Sequence, residues 1–175
     1  MADLQMFALR DELAALRREV DALKRRTPTG VFVPWAPIIT GSVSDPTIAA
    51  TAYAGSEYLR MGDLFIGFAS FKMDAGFAGG SGQYRVSTPW PLDILGGQVH
   101  PNLGQWVGAD DNTGLNASGA IIAGSLASPL TYVRLTYNAA VPTGASSFVT
   151  NTTPWTWAAN DQLRLAIVAK VADGY

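Results

Sequence analysis

Residues 163–171 run Leu-Arg-Leu-Ala-Ile-Val-Ala-Lys-Val near the end of a chain of 175 residues. Apolar side chains stand at every second position: Leu163, Leu165, Ile167, Ala169 and Val171. Because successive side chains of an extended chain point to opposite faces, this alternation is typical of a strand with one buried face. The stretch therefore predicts a β-strand and sets the fold class for the rest of the chain.

Shorter runs of the same character precede it. They are rich in Val, Ile, Tyr, Phe and Thr and are separated by clusters of Gly, Pro, Asn and Asp. Counting 162–172 as the last, nine strands are predicted at 31–40, 51–60, 64–73, 83–88, 104–109, 117–125, 130–138, 147–150 and 162–172. No helical period intervenes, so the pattern predicts a mainly β fold, an antiparallel β-sandwich or jelly roll.

The first 26 residues have a different composition, with 6 of the 12 basic residues and 5 of the 14 acidic ones. Their apolar residues recur at alternating spacings of three and four, which is the seam of a coiled coil. The predicted seam consists of Met6, Leu9, Leu13, Leu16, Val20 and Leu23. The predicted organisation is a coiled-coil oligomerisation helix at 1–27, a linker at 28–34 and a β-sandwich knob domain at 35–175.

Charges beside this seam predict how identical chains would align. In a parallel assembly Glu12 of one chain would meet Arg17 of a neighbour, and Glu19 would meet Lys24. An antiparallel arrangement would place basic residues against basic residues, so a parallel homo-oligomer is favoured. A helix packed on its own domain is the alternative. The heptads alone do not decide whether two or three chains assemble.

Composition leaves few residues for catalysis. The chain has no cysteine, one histidine (His100) and a formal net charge of −2, so no strong positive field is present to recruit nucleic acid. Asp110-Asp111-Asn112 lacks the spacing of a calcium loop and predicts a polar turn. We therefore expect no catalytic residues, no metal or other cofactor, no nucleic-acid partner and no membrane insertion, and a protein that is not an enzyme.

Aromatic residues form the more informative set. Four tryptophans are candidates for contact with a glycan or with another subunit: Trp90, Trp106, Trp155 and Trp157. Trp155 and Trp157 stand two residues apart, so both would point to one face of an extended segment. Burial in the core or at a subunit interface is favoured over carbohydrate contact.

The β region resembles a sandwich domain of tailed-bacteriophage structural proteins, particularly short fibre or minor tail proteins of phages that infect actinobacteria. The resemblance covers roughly residues 35–172 and is carried by three segments. They are Tyr58-Leu-Arg-Met-Gly-Asp63, Gln83-Tyr-Arg-Val-Ser-Thr-Pro89 and Thr153-Pro-Trp-Thr-Trp-Ala-Ala-Asn-Asp-Gln-Leu163.

The resemblance implies a virion protein made in the host cytoplasm and assembled on the phage particle. It also implies a homotrimer, since such proteins commonly assemble as trimers. The expected function is a short fibre or minor tail protein that contributes to host-surface attachment, with other virion proteins and a host cell-surface glycan as partners. A capsid decoration protein or head fibre with an architectural role is the alternative.

Overall fold

The computed structural model describes residues 15–18, 30–47, 55–93, 102–123, 130–137, 147–172 and 174. Strands account for 61% of these residues and helix for 3%, which confirms the prediction of a mainly β chain. Ten strands follow one another: β1 (Val33–Pro34), β2 (Ile39–Gly41), β3 (Glu57–Met61), β4 (Leu64–Lys72), β5 (Tyr84–Asp93), β6 (Asn102–Ala109), β7 (Asn116–Ala123), β8 (Leu130–Tyr137), β9 (Ser147–Phe148) and β10 (Gln162–Val171).

All pairings between these strands are antiparallel. Their order is β1-β3-β4-β10-β6-β7-β8-β5-β2, and β9 pairs with β8. One edge of β10 pairs with β4 along most of its length, whereas the other edge pairs first with β6 and then, at Lys170 and Val171, with β5. Strands β10, β6, β7, β8 and β5 therefore close into a ring.

The core lies inside this ring and beneath β4. Every second residue of β10 is buried, from Leu163 to Val171, as the alternation in the sequence predicts. Phe65 and Phe71 of β4 face the same interior, with exposures of 0% and 1%. Because both strands bury one face only, their alternate residues form an outer surface whose chemistry is free to vary.

Several predicted strands have other bounds in the structure, such as the one predicted at 51–60, of which the described part begins as β3 only at Glu57, and proline explains two of these differences. The segment 31–40 is split into β1 and β2, since Pro34 and Pro37 lack the amide donor that a continuous ladder needs. The strand predicted at 83–88 continues as β5 through Pro89 and Pro91 to Asp93. Its pairing with β8 shifts register between Ser87 and Leu92, and this irregularity accommodates the prolines.

The glycine-rich stretch between β4 and β5 is held against the segment that follows β2. Bridges join Ser44 to Ser81 and Thr47 to Ala78, and the hydroxyls of Ser44 and Ser81 lie 2.8 Å apart. Gly80 has a φ of 60°, in the left-handed region that favours glycine, and a Cβ there would lie 2.5 Å from the Ser44 carbonyl oxygen. This loop therefore forms an ordered connection beside the start of β5.

Candidate functional site

Trp106, one of the four candidate tryptophans, lies in the core. Its ring is 1% exposed, and its Nε1 donates a hydrogen bond of 2.7 Å to the carbonyl oxygen of Thr136 on β8. The Trp106 indole can reach this carbonyl because residue 119 of β7 is a glycine. A Cβ at Gly119 would collide with the Thr136 carbonyl oxygen and lie 2.7 Å from Trp106 Nε1. Trp106 thus joins β6 to β8 across the ring, and its ring offers no surface to a glycan.

Trp155 and Trp157 pack against each other beside β6, as their spacing suggests, although the segment that carries them is not a strand. Their ring centroids are 5.0 Å apart. Both rings rest on Gly108, where a Cβ would lie 3.0 Å from Trp157 and 3.3 Å from Trp155. Trp157 is 4% exposed and Trp155 is half-buried, so this pair mainly closes the core.

A buried carboxylate fixes the loop that carries this pair. Asp161 is 0% exposed and accepts hydrogen bonds from Trp155 Nε1 (3.1 Å), the Ala158 backbone N–H (2.9 Å) and the Asp111 backbone N–H (3.1 Å). It therefore ties the 153–161 segment to the β6–β7 hairpin immediately before β10 begins. Three donors satisfy a charge that would otherwise be costly to bury.

Trp90 differs from the other three because it is partly accessible and lies under a cation. The Arg60 guanidinium sits 4.4 Å from the centre of the Trp90 ring, and Arg60 Nε donates a hydrogen bond of 2.9 Å to the Gly62 carbonyl. The indole Nε1 is buried without a hydrogen-bond partner among the described residues. Trp90 is thus the one of the four candidates whose ring face is covered by a cationic side chain.

The outward side chains of β3, β4 and β10 include a cluster of large apolar residues, which we call the apolar face; Glu57, opposite Phe68, and Lys170, opposite Leu64, lie at its border. Strand register places Leu59 beside Ile66 and Ile66 beside Val168, with Phe68 beside Ala166 one row further along. Met61 borders this set on β3. Phe68, Met61 and Val168 are 41%, 39% and 53% exposed, so the face presents large apolar side chains to its surroundings.

The chain reaches the apolar face directly from its N-terminal segment. The Phe32 ring lies 6.0 Å from that of Phe68, and β1 then pairs with β3 through Val33 and Pro34. Phe32 is itself 41% exposed. The predicted linker therefore enters the domain at the edge of this face.

The outer surface of β5 and β8 has the opposite chemistry, and we call it the arginine face. Arg85 of β5 stands directly opposite Arg134 of β8. The Arg85 guanidinium lies 4.9 Å from the centre of the Tyr132 ring, and that of Arg134 lies 5.2 Å from the centre of the Phe148 ring. The sequence gives no sign of this arrangement, because residues 49 positions apart meet only through the strand register.

A groove of about 690 Å³ lies where β6, β7 and β10 run side by side. Its outward-facing walls include Val107, Asn116, Ser118 and Gln162, and Arg164 is the one charged side chain among its described lining residues. Arg164 Nη2 donates to Gln162 Oε1 at 3.2 Å. The groove therefore carries no arrangement of acid and base that points to a reaction.

The turn predicted at Asp110-Asp111-Asn112 closes the β6–β7 hairpin. Asp110 Oδ1 accepts from the backbone N–H groups of Asn112 and Thr113, and Oδ2 accepts from the Thr113 hydroxyl. The hydrogen bond from the Thr113 hydroxyl is the main reason that the pKa of Asp110 lies below its ordinary value, whereas burial acts to raise this pKa. Within the described ranges, no group of three or more acidic or histidine side chains could hold a metal ion.

The predicted seam lies mostly outside the described residues. Residues 15–18 are helical, Leu16 is 58% exposed, and Arg17 is also exposed. The other seam positions (Met6, Leu9, Leu13, Val20 and Leu23), the charges Glu12, Glu19 and Lys24, and His100 fall outside the described part of the chain. The coiled coil therefore stays a prediction from the sequence.

No helix among the described residues is long and apolar enough to cross a membrane. In comparisons with known proteins, no family model matches the chain, and no curated protein or solved structure matches it significantly.

Proposed function

We propose that this chain is a self-assembling structural protein, a short homotrimeric fibre or minor tail protein of a tailed bacteriophage that contributes to host-surface attachment. The observation that carries the self-assembly is the apolar face. Leu59, Met61, Ile66, Phe68 and Val168 share one outer surface of a single chain, outside its core cluster. Met61, Phe68 and Val168 are exposed, and Leu59 and Ile66 are partly exposed between them. Contiguous exposed apolar surface of this kind marks an interaction site.

A second copy of the chain is the proposed occupant of this face. Phe32 packs on Phe68 at the point where the chain arrives from the predicted coiled coil. Phe32 lies nine positions after Leu23, the last seam position, a span of at most about 30 Å. A parallel coil would therefore hold several apolar faces close to one another and raise their effective concentration.

Leu16 supports the same assembly. It is 58% exposed on a helical segment, so within the described residues it does not pack on the knob domain of its own chain. About 25 helical residues form only a marginal coiled coil alone, and an additional interface in the knob domain would supply the missing stability. The number of three chains and the virion location rest on the resemblance to phage fibre and minor tail proteins.

Sedimentation of the intact chain tests the assembly. We expect a trimer for the wild type and dissociation for Leu16→Asp, since the substitution would place a carboxylate in the apolar seam. Arg18→Asp, outside the seam on the same helical segment, provides a charge-changing control that should remain assembled. A wild-type monomer at micromolar concentration, or an unchanged mass for Leu16→Asp, would contradict the proposal.

The virion assignment needs its own test. Gold-labelled antibody against the full chain, applied to phage particles whose genome encodes it, should label the tail at the host-proximal end. Label restricted to the capsid would contradict the tail location and favour the decoration role, and the absence of label from intact particles would contradict a virion protein altogether.

A further inference from the structure

We propose that the arginine face binds an acidic glycan, with Arg85 and Arg134 each contacting one carboxylate of the same extended molecule. This inference adds a ligand class to the proposed attachment role and does not depend on the number of chains in the assembly. The site is formed by residues of a single knob domain, on a surface distinct from the apolar face.

The first observation is a pair of like charges without a counter-ion. Arg85 and Arg134 are cross-strand neighbours, an arrangement that lowers the stability of a sheet. The ion pair found among the described residues joins Lys170 to Asp93, and no carboxylate there lies within ion-pair distance of either arginine. Among the described residues, neither buried Nε atom has a hydrogen-bond partner, so a ligand would meet these side chains at their Nη groups. A bound anion would supply the missing charge.

The second observation is that each guanidinium is held in place. Arg85 stacks on Tyr132, and Arg134 stacks on Phe148 while Nη1 lies 3.4 Å from Gln83 Oε1. A planar guanidinium stacked on a ring loses little further freedom when its Nη edge donates to an oxyanion. The aromatic rings therefore make both arginines better prepared for a carboxylate than mobile surface side chains would be.

The direction of the two side chains indicates an extended ligand. Tyr132 lies two residues before Arg134 on β8, whereas Phe148 pairs with Thr136, two residues after Arg134. The two guanidiniums thus diverge toward rows that are four residues, or roughly 13 Å, apart along β8. A single small anion would reach one of them, so two acidic groups on one chain-like molecule fit the site better.

The surroundings favour a glycan over a nucleic acid. Residues 27–175 contain six basic and nine acidic residues, so the knob domain has no positive field to attract a densely charged polymer. Hydroxyl side chains border the arginines, since Thr40 lies beside Arg85 and Ser87 beside Tyr132, and the amide of Gln83 contacts Arg134. These groups suit the hydroxyls of a sugar chain with widely spaced charges.

Isothermal titration of the full chain with galacturonate oligomers of one to six residues, at low and at physiological salt, tests the site. We expect measurable binding only for oligomers long enough to span both arginines, and weaker binding at higher salt. Neutral glucose oligomers of the same lengths should not bind. Arg85→Gln and Arg134→Gln should each weaken binding of the hexamer about tenfold or more, because each removes a charge-assisted hydrogen bond.

Arg164→Gln is the matched control, since it removes an exposed arginine from β10 on another surface, and it should leave the dissociation constant within about twofold. Thermal unfolding of each variant separates lost binding from lost folding. Absence of hexamer binding to the folded wild type, equal binding of neutral oligomers, or an equal loss in Arg164→Gln would overturn the proposal. Tighter binding of single-stranded DNA of equal charge would overturn the assignment to a glycan. Sedimentation, measured separately, reports on assembly and not on this site.

Discussion

The apolar face and the arginine face lie on one domain and cover the same kind of core, yet their outer residues differ in every respect. Behind the apolar face are Phe65 and Leu165, and behind the arginine face are Tyr84 and Val133, all at most 3% exposed. The outward positions of the apolar face include Ile66, Phe68 and Val168, whereas those of the arginine face hold Arg85 and Arg134, each stacked on an aromatic ring. Inward positions thus determine folding, and outward positions leave each face available for a separate partner.

This division makes the two faces separable by mutation. A substitution in the shared core should weaken the binding function of both faces. A substitution beneath one face should destabilise the strands of that face first, and a substitution on an outer surface should leave folding intact. The following predictions run from the largest expected effect on stability to the smallest.

Trp106→Ala tests the shared core. It removes a fully buried ring and its hydrogen bond to the Thr136 carbonyl, so the free energy of unfolding should fall by about 3–5 kcal/mol. Denaturant unfolding followed by circular dichroism provides the measurement. Because β6 and β8 are both anchored here, assembly and glycan binding should weaken together. A loss below about 1 kcal/mol would contradict the role assigned to this residue.

Asp161→Ala tests the support at the start of β10, one of the three strands of the apolar face. It leaves Trp155 Nε1 and two backbone N–H groups without their acceptor, so the free energy of unfolding should fall by about 2–3 kcal/mol. Hydrogen exchange should increase in β10 and the β6–β7 hairpin more than in β5. The control Asp111→Ala keeps the backbone donor and should change stability by less than about 0.5 kcal/mol. Equal effects of the two substitutions would contradict this account.

Tyr84→Phe tests the support of the arginine face, since Tyr84 precedes Arg85 on β5. Its buried hydroxyl donates to the Gly79 carbonyl at 2.7 Å, and loss of this bond should cost about 1 kcal/mol. Burial raises the pKa of Tyr84 above its ordinary value of 10.0. The folded state therefore favours the neutral phenol, and the wild type should lose stability as the pH rises above 10.

The pH dependence gives this prediction its control. The variant lacks the phenol, so its stability should decline less steeply than that of the wild type above pH 10 when urea unfolding is repeated across that range. Parallel declines in the two proteins would show that other groups dominate and would contradict the assigned burial of Tyr84.

Arg85→Gln should have the smallest effect on folding. Relief of the repulsion with Arg134 is worth roughly 0.2–1 kcal/mol and is offset by the lost stacking on Tyr132, so the net change should lie within about 0.5 kcal/mol. Thermal unfolding measures it. A loss above about 2 kcal/mol would show that the arginine serves the fold, and this would remove the main argument for a binding role.

The sequence was sufficient for β10 but not for either face. The strict alternation of Leu163 to Val171 identifies a half-buried strand, because this pattern depends only on neighbouring positions along the chain. The four tryptophans look alike in the sequence, yet Trp106 lies deep in the core and Trp90 lies under Arg60. That difference depends on partners far along the chain. The meeting of Arg85 with Arg134 likewise follows only from the register of β5 and β8.

The central claim is that the apolar face joins copies of the chain, and sedimentation equilibrium of Phe68→Ser tests it most directly. Phe68 is 41% exposed and lies outside the core, so its loss should lower the unfolding midpoint far less than Trp106→Ala does, while the dissociation constant of the assembly rises at least about tenfold. Leu115→Ser removes an apolar side chain that is 58% exposed on the β6–β7 hairpin, and it should assemble as the wild type does. Identical association of wild type and Phe68→Ser across the concentration range would contradict the account.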